Sequence, residues 1–279
     1  MGQGSLTPPG APGETMKSLE QVEPRTPIPS LPYTISESGS YYVTGNLSST
    51  THGIVIETSG VTVDLMGFSL TGDGTSSYPD YDYGIYVDGS TNAVIKNLVI
   101  KGGRIGGFFE GLYCRYMNNS RIEQMVVSGN TDKGVFLNGY SGQCDGNTIS
   151  DSTISENGGH GVFLHGSNSG QCNGNTITDC TISGNGDDAV TLYGSGGLCN
   201  GNTVANCTIG NNTGRGIDLV GTQGQCDGNT LQGNSIKGNV DRGIAIFWGD
   251  GNRVEANTIW GTTGAVSYTH LTLPTSDLV

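Results

Sequence analysis

No apolar run in this 279-residue chain approaches the ~18 residues that a membrane-spanning helix requires, so insertion into a bilayer is not expected. Basic residues are scarce: 12 Lys and Arg stand against 25 Asp and Glu, a formal net charge of −13. That balance argues against nucleic acid and against anionic membrane surfaces as partners. It also counts against an acidic polysaccharide such as pectate or alginate, unless a local basic patch or Ca²⁺ offsets the repulsion. No other cofactor is expected. The chain has no phosphate-binding loop, no zinc-ligand spacing and no serine nucleophile elbow. GDG occurs at 72–74 and 249–251 without the repeated nonapeptide of a Ca²⁺-binding roll. Residues 1–13, rich in Gly and Pro, lack the charged and apolar regions of a signal peptide and read as a linker.

What is abundant is glycine and repetition. Gly supplies 48 residues without a collagen period, so the excess serves bends where a side chain would clash. From Gly134 to Arg242 one pattern is written four times, beginning GVFLNG, GVFLHG, AVTLYG and GIDLVG at Gly134, Gly161, Ala189 and Gly216. Each copy then passes through a Cys-Asx-Gly-Asn-Thr run, at 144–148, 172–176, 199–203 and 226–230. A period of about 27 residues lies in the range of stacked-repeat architectures. One copy cannot bury its apolar residues alone, so the copies must stack and share a core.

Within a copy the apolar residues come in short alternating bursts, which suits three brief strands per turn and no helix. Aligning the copies gives core columns: Val135, Val162, Val190, Ile217, Ile244 and Leu137, Leu164, Leu192, Leu219, Ile246. Two more begin at Ile149 and Ile154. Asn columns at 147/175/202/229/252 and 130/157/185/212/239 fit bends whose amides bond up and down the stack. This pattern resembles the right-handed parallel β-helix repeat proteins, the pectin-lyase-like superfold, from about Tyr33 to Trp260. The resemblance implies an all-β solenoid, and it implies little about function because the fold hosts many activities.

The expected organisation is a linker at 1–13, an N-terminal cap at 14–32 with a short helix over 14–22, a parallel β-helix at 33–265, and a tail at 266–279. VSYTHLTLPT at 266–275 looks like a translated sequencing adaptor, so the tail is expected to be read-through at the end of a fragment. A fragment of a larger exported bacterial or phage-type protein, extracellular or at the cell surface, is the expected source. Cys144, Cys172, Cys199 and Cys226 share one column with Met117 and read as buried thiols. Cys180 and Cys207, in a column with Ser152 and Asn234, are the better disulfide candidates. No metal centre is expected, because evenly stacked thiols do not make a tetrahedron.

Chemistry is sought on the outward side of the GVFL strand. There the column Tyr86, Tyr113, Phe136, Phe163 turns polar at Thr191 and Asp218. Aromatic faces beside carboxylates and imidazoles suit a glycan, whose rings stack and whose hydroxyls bond. Asp188, Asp187, His160 and Asp218 are the catalytic candidates. Two carboxylates could act as acid and base on a glycosidic bond at the ~6.5–9.5 Å separation of inversion. Phe136, Phe163, His165, Tyr193, Arg215 and Lys133 are the substrate-binding candidates. In a lyase or epimerase, His160 or Tyr193 would take the proton while Arg215 or Lys133 neutralised a uronate.

GDDAV at 186–190 and GHG at 159–161 look like the DD and GHG motifs of polygalacturonases, but in reverse order, and the family's NTD and RIK motifs are not in suitable places. The expectation is therefore a protein that binds or processes polysaccharide as a glycoside hydrolase, lyase or epimerase. A non-catalytic structural or adhesion module is the alternative, in which DK, GH, DD, GR and DR before each strand are freely varying turns and the rings merely support the sheet.

Overall fold

The computed structural model describes residues 24–75, 81–222 and 225–268. These residues wind into a right-handed parallel β-helix of 29 strands, and no helix occurs among them. The capping helix expected at 14–22 lies outside the described residues.

Each full repeat gives three strands, as in Val135–Asn138, Thr148–Ser150 and Thr153–Ser155. The first strand of each coil joins a ten-stranded sheet, seventeen others build a sheet that folds around the core, and Ile95–Lys96 pairs with Met117–Asn118 in a two-stranded sheet. The columns read from the sequence are ladder rungs. Val135, Val162, Val190, Ile217 and Ile244 pair in parallel register, as do Leu137, Leu164, Leu192, Leu219 and Ile246. Ile149 and Ile154 begin the two matching columns of the larger sheet. Alternation turns these residues inward, where nearly all are fully buried, and turns their neighbours outward.

The Cys-Asx-Gly-Asn-Thr run makes one corner of the coil, and each residue in it has a separate task. Cys144 points into the core. The outer Asx side chains bond from coil to coil, Asp145 Oδ1 accepting the Asn173 N–H and Asn173 Oδ1 accepting the Asn200 N–H, both at 2.7 Å. Gly146, at φ +68°, adopts the left-handed conformation that reverses the chain, as do Gly174, Gly201 and Gly228. Asn147 then turns back inward. Its backbone and side-chain N–H groups both donate to Asn175 Oδ1, at 2.8 and 3.0 Å. Thr148 opens the next strand. Asp151, Asp179 and Asn206 make the following bend in the left-handed region that Asp and Asn tolerate best.

All seven cysteines are unpaired and buried. Burial pushes the thiols of Cys114, Cys144, Cys172 and Cys199 well above the ordinary value. Cys180 and Cys207 are not bridged: each Sγ instead donates to the carbonyl two residues back, at 3.2 Å.

Two boundaries differ from the sequence expectation. Arg25–Ile28, placed in the cap, is a strand of the stack that pairs with Ser40 to Val43. Among the described residues it pairs with that strand alone, an edge position of the kind in which Pro is tolerated. At the other end Gly264–Tyr268 crosses the boundary set at 265/266 and pairs with the strand Arg242–Phe247.

Candidate functional site

The outward column of the ten-stranded sheet is a continuous run of rings. Tyr86, Tyr113, Phe136 and Phe163 follow one another with centroids 5.2–5.5 Å apart, and Tyr83 stacks on Tyr113 at 4.7 Å. Tyr86 and Tyr113 are stacked at 26°, and the next two pairs are tilted by 50° and 34°, so each ring contacts its neighbours along the axis. In the interior of the column each ring, expected to stack on a sugar, has another ring beside it. Rings spaced by the strand repeat fit each other better than a ligand. His165 and Tyr193 flank the column, His165 lying 5.3 Å from Phe163 and 5.4 Å from Tyr193. Burial lowers the His165 imidazole to about 4, so it is neutral, and its Nδ1 is buried without a hydrogen-bond partner.

The column ends where Phe163 is capped by His160, stacked at 4.9 Å and 19°. The next rung carries Thr191 in place of a ring, and the one after it Asp218. Thr191 Oγ1 lies 3.3 Å from His160 Nδ1 and donates to Asp188 Oδ2 at 3.1 Å. His160 sits between two carboxylates, with Nε2 3.5 Å from Asp187 Oδ2 and Nδ1 4.0 Å from Asp188 Oδ2. Asp187 is open to solvent (53 % exposed), His160 partly so (19 %), and Asp188 is buried (7 %). Burial raises the Asp188 carboxyl above its usual range, opposed by the Arg215 backbone N–H that donates to Oδ1 at 2.6 Å. Asp218 is pushed up to about 7 by burial and then by the nearby Asp188 charge, although Arg215 donates to it at 2.7 Å.

His160, Asp187, Asp188, Arg215 and Asp218 therefore come together as the sequence suggested. Lys133 does not join them. It donates to Glu110 Oε1 at 3.1 Å and to Asp132 Oδ2 at 2.5 Å, with its ammonium 5.0 Å over the Phe136 ring. Lys133 and Arg215, expected to neutralise a uronate, are both held by carboxylates of the chain. Arg215 is held by Asp218 and by Asp241 at 3.1 Å. Each cation on this face, Arg115 with Asp88 and Arg242 with Asp241 included, already has a carboxylate.

Glu110, Asp132, Thr191 and Asp241 were not among the candidates. The switch from ring to Thr in the outward column was the one signal in the sequence for any of them. Burial, partly offset by Lys133, raises Glu110 to about 7 from an ordinary 4.5. The folded chain therefore keeps this proton where the unfolded chain has lost it, and stability falls as pH rises from about 4.5 through 7. Glu110→Gln, which cannot ionise and leaves Lys133 on Asp132, is expected to gain about 3 °C in melting temperature over the parent at pH 8 and little at pH 4.5. Equal shifts at both pH values would contradict the assignment.

Solved structures with the same winding include the bacteriophage CBA120 tailspike protein 2 enzymatically active domain, at TM-score 0.68 and 15 % identity. That match covers 88 % of this chain and 42 % of the tailspike domain, so the chain spans about two fifths of its length. The mannuronan C-5 epimerase AlgE4 A-module of Azotobacter vinelandii matches at 0.56 and 12 % identity, over 87 % of this chain and 86 % of that one. Pectate lyase Pel9A matches at 0.56 and 16 %, over 82 % and 68 %. At these identities the likeness is one of fold. No curated protein sequence matches the chain.

One protein family matches, described as "Periplasmic copper-binding protein (NosD)". The donors here suit copper poorly. Soft copper(I) takes thiolates, and every thiol is buried in the core. Copper(II) prefers a planar, nitrogen-rich set. Among the described residues the one group of three donors within 4.8 Å of each other is His160, Asp187 and Asp188, with a single imidazole. Both oxygens of its Asp188 already accept hydrogen bonds. The imidazole also sets this group apart from the all-oxygen shell of Ca²⁺. The family match runs over residues 15–171 and 66–271, well over half the chain, and the chain belongs to the NosD family.

Proposed function

We propose that the ten-stranded face processes a polysaccharide and that the group at His160, Asp187 and Asp188 hydrolyses its glycosidic bonds. One observation carries the reading: where the ring column stops, an open carboxylate, an imidazole and a buried carboxyl have donor atoms within 4.8 Å of one another. Asp187 Oδ2 and His160 Nε2, 3.5 Å apart, leave no room for a water between nucleophile and acid, which favours a retaining over the expected inverting course. Asp187, the exposed member, attacks the anomeric carbon as its bond to the leaving oxygen breaks. His160 delivers the proton to that oxygen from its Nε2 edge, with Thr191 and Asp188 holding the Nδ1 side. Water then cleaves the ester, and His160 takes back a proton.

Elimination and epimerisation are less well supported, since both need a free cation for the uronate and each cation on this face is spoken for. The family description, the tailspike domain, the epimerase and the pectate lyase support a setting outside the cytoplasm and a glycan partner. The non-catalytic alternative is favoured by the self-covered rings, which would serve a rigid spacer equally well. A panel of neutral, amino and uronic oligosaccharides, read by reducing-end release and by the anomer first formed, decides between them. Retained configuration supports the reading, an unsaturated product would replace hydrolysis by elimination, and no product from any glycan would leave the spacer.

A further inference from the structure

Well away from His160 a cleft of about 370 Å³ opens near the other end of the stack. That volume lies within the ~300–1,000 Å³ of small-ligand sites. The cleft is built where the turns of three successive coils meet. Leu31 and Pro32 precede the strand Tyr33–Ile35, Ser48 to Thr51 precede Ile54–Ile56, and Gly72 and Asp73 follow Ser69–Thr71. Gly72 passes so close to the next coil that a Cβ there would lie 2.2 Å from Gly107 O.

Leu31 and Pro32 give the cleft an apolar wall, and the other side chains in it are hydroxyls and one carboxylate. Their positions are set before any ligand arrives, which lowers the ordering cost of binding. Ser49 Oγ donates to His52 O at 3.0 Å and accepts the Thr51 N–H at 3.2 Å. Asp73 Oδ1 accepts the N–H and the hydroxyl of Thr75, at 2.9 and 2.7 Å. These bonds hold the Asp73 carboxyl below its usual range, so it is ionised at neutral pH. Asp73 Oδ2 and the hydroxyls of Ser48 and Thr50 have no hydrogen-bond partner among the described residues. No cation lines the cleft among those residues either.

The cleft adjoins the foot of the ring column. His52, which accepts from Ser49, stacks on Tyr83 at 5.2 Å and 6°, and Tyr83 stacks on Tyr113. At the head of the same column stands His160. Ile54 and Val162, each two residues after its histidine, are four ladder steps apart through Ile85, Leu112 and Val135. At ~4.8 Å a step that is ~19 Å along the axis.

We infer that the cleft holds an uncharged sugar of the polysaccharide that is cleaved at His160, about four coils from the reacting bond. The apolar face of the sugar lies on Leu31 and Pro32. Its hydroxyls donate to Asp73 and accept from Ser48 and Thr50, a pairing of donors with acceptors that a uronate would spoil by facing its charge to Asp73. The inference rests on the polysaccharide reading above and adds to it a second point of attachment and a charge class.

Calorimetric titration of the full chain with dimers and hexamers of glucose, mannose and N-acetylglucosamine, and with galacturonate hexamer, tests it. A neutral hexamer is expected to bind about tenfold more tightly than its dimer, because it spans both points. Ser48→Phe, which fills the cleft, and Asp73→Asn, whose oxygen can still accept from Thr75, are each expected to weaken the hexamer about tenfold while melting as the parent does. Asp179→Asn, an exposed carboxylate between two strands of the larger sheet, is expected to bind as the parent does. Galacturonate hexamer is expected to bind more weakly than the neutral one and to gain as salt screens Asp73. Equal hexamer affinity in the parent and both cleft variants, tighter binding of galacturonate, or no binding of any neutral hexamer would overturn the inference. If a neutral hexamer is cleaved with the same KM in all three proteins, the cleft falls and the hydrolytic site stands. If hexamers bind through the cleft and none is cleaved, the cleft stands and hydrolysis falls.

Discussion

On the proposed hydrolytic reading, Asp188→Asn and His160→Ala are each expected to lower glycan cleavage by about 10²- to 10⁴-fold, the usual worth of a positioned proton-transfer group, while the chain melts as before. The two losses arise differently. Asp188→Asn keeps the shape and can still accept from the Arg215 N–H, but it removes the buried carboxyl that holds the Nδ1 side of the imidazole. His160→Ala removes the proton carrier and uncovers one face of Phe163. Combining them should cost little more than either alone, because groups acting as one unit are not additive. Turnover at the parental rate in either variant, measured on whichever oligosaccharide the parent cleaves, would reject this choice of site.

The second large effect concerns stability. Asn185 is fully buried and makes four hydrogen bonds. Its Oδ1 accepts from the Asn157 backbone and side chain at 3.2 and 3.0 Å, and its Nδ2 donates to Ile154 O and to Asn212 Oδ1 at 3.2 and 2.9 Å. Asn185→Ala leaves the Asn157 backbone N–H without its acceptor and takes one bond each from Asn157 Nδ2, Ile154 O and Asn212 Oδ1. Asn157 Nδ2 keeps Val127 O, and Asn212 Oδ1 keeps the Asn185 backbone N–H. Each group left unmet in a dry interior costs ~1–3 kcal/mol. With water and small shifts relieving some of them, a net loss of about 4 kcal/mol is expected, or roughly 10 °C in melting temperature for a chain of this size. Asn173→Ala provides the comparison. Asn173 Oδ1 also accepts a backbone N–H from the next coil, but at the rim, where water can replace it. Its loss should be near 1 kcal/mol. Equal losses at the two positions would mean that burial does not set the strength of these ladders.

The coil was readable in the sequence because its determinants are local and repeated. Val135, Leu137 and Asn147 each recur in register, and stacking places like residues on like. The Cys-Asx-Gly-Asn-Thr run even implies its own corner once Gly146 is required at positive φ. The site was readable only as far as columns go. A column says that Asp188, Arg215 and Asp218 are neighbours, but not which way a long side chain reaches. Arg215 could have met Asp187 or a ligand, and it turns to Asp218 and Asp241 instead. Phe136 and Phe163 likewise had two uses for their faces, and the strand spacing gives those faces to each other. The strand Arg25–Ile28 was hidden by prolines, which occur in edge strands and linkers alike.

Because every corner satisfies its backbone through the same Asn contacts above and below, a coil could be gained or lost by unequal crossing-over with no misfit at either seam. Such an event between Gly134 and His160 would leave the proposed hydrolytic group untouched and move Lys133 one strand spacing further from it. Placed between His160 and Asp187, it would separate the imidazole from both acids in a fibre that still folds. Reach along a polymer and chemistry upon it are in this architecture separately heritable.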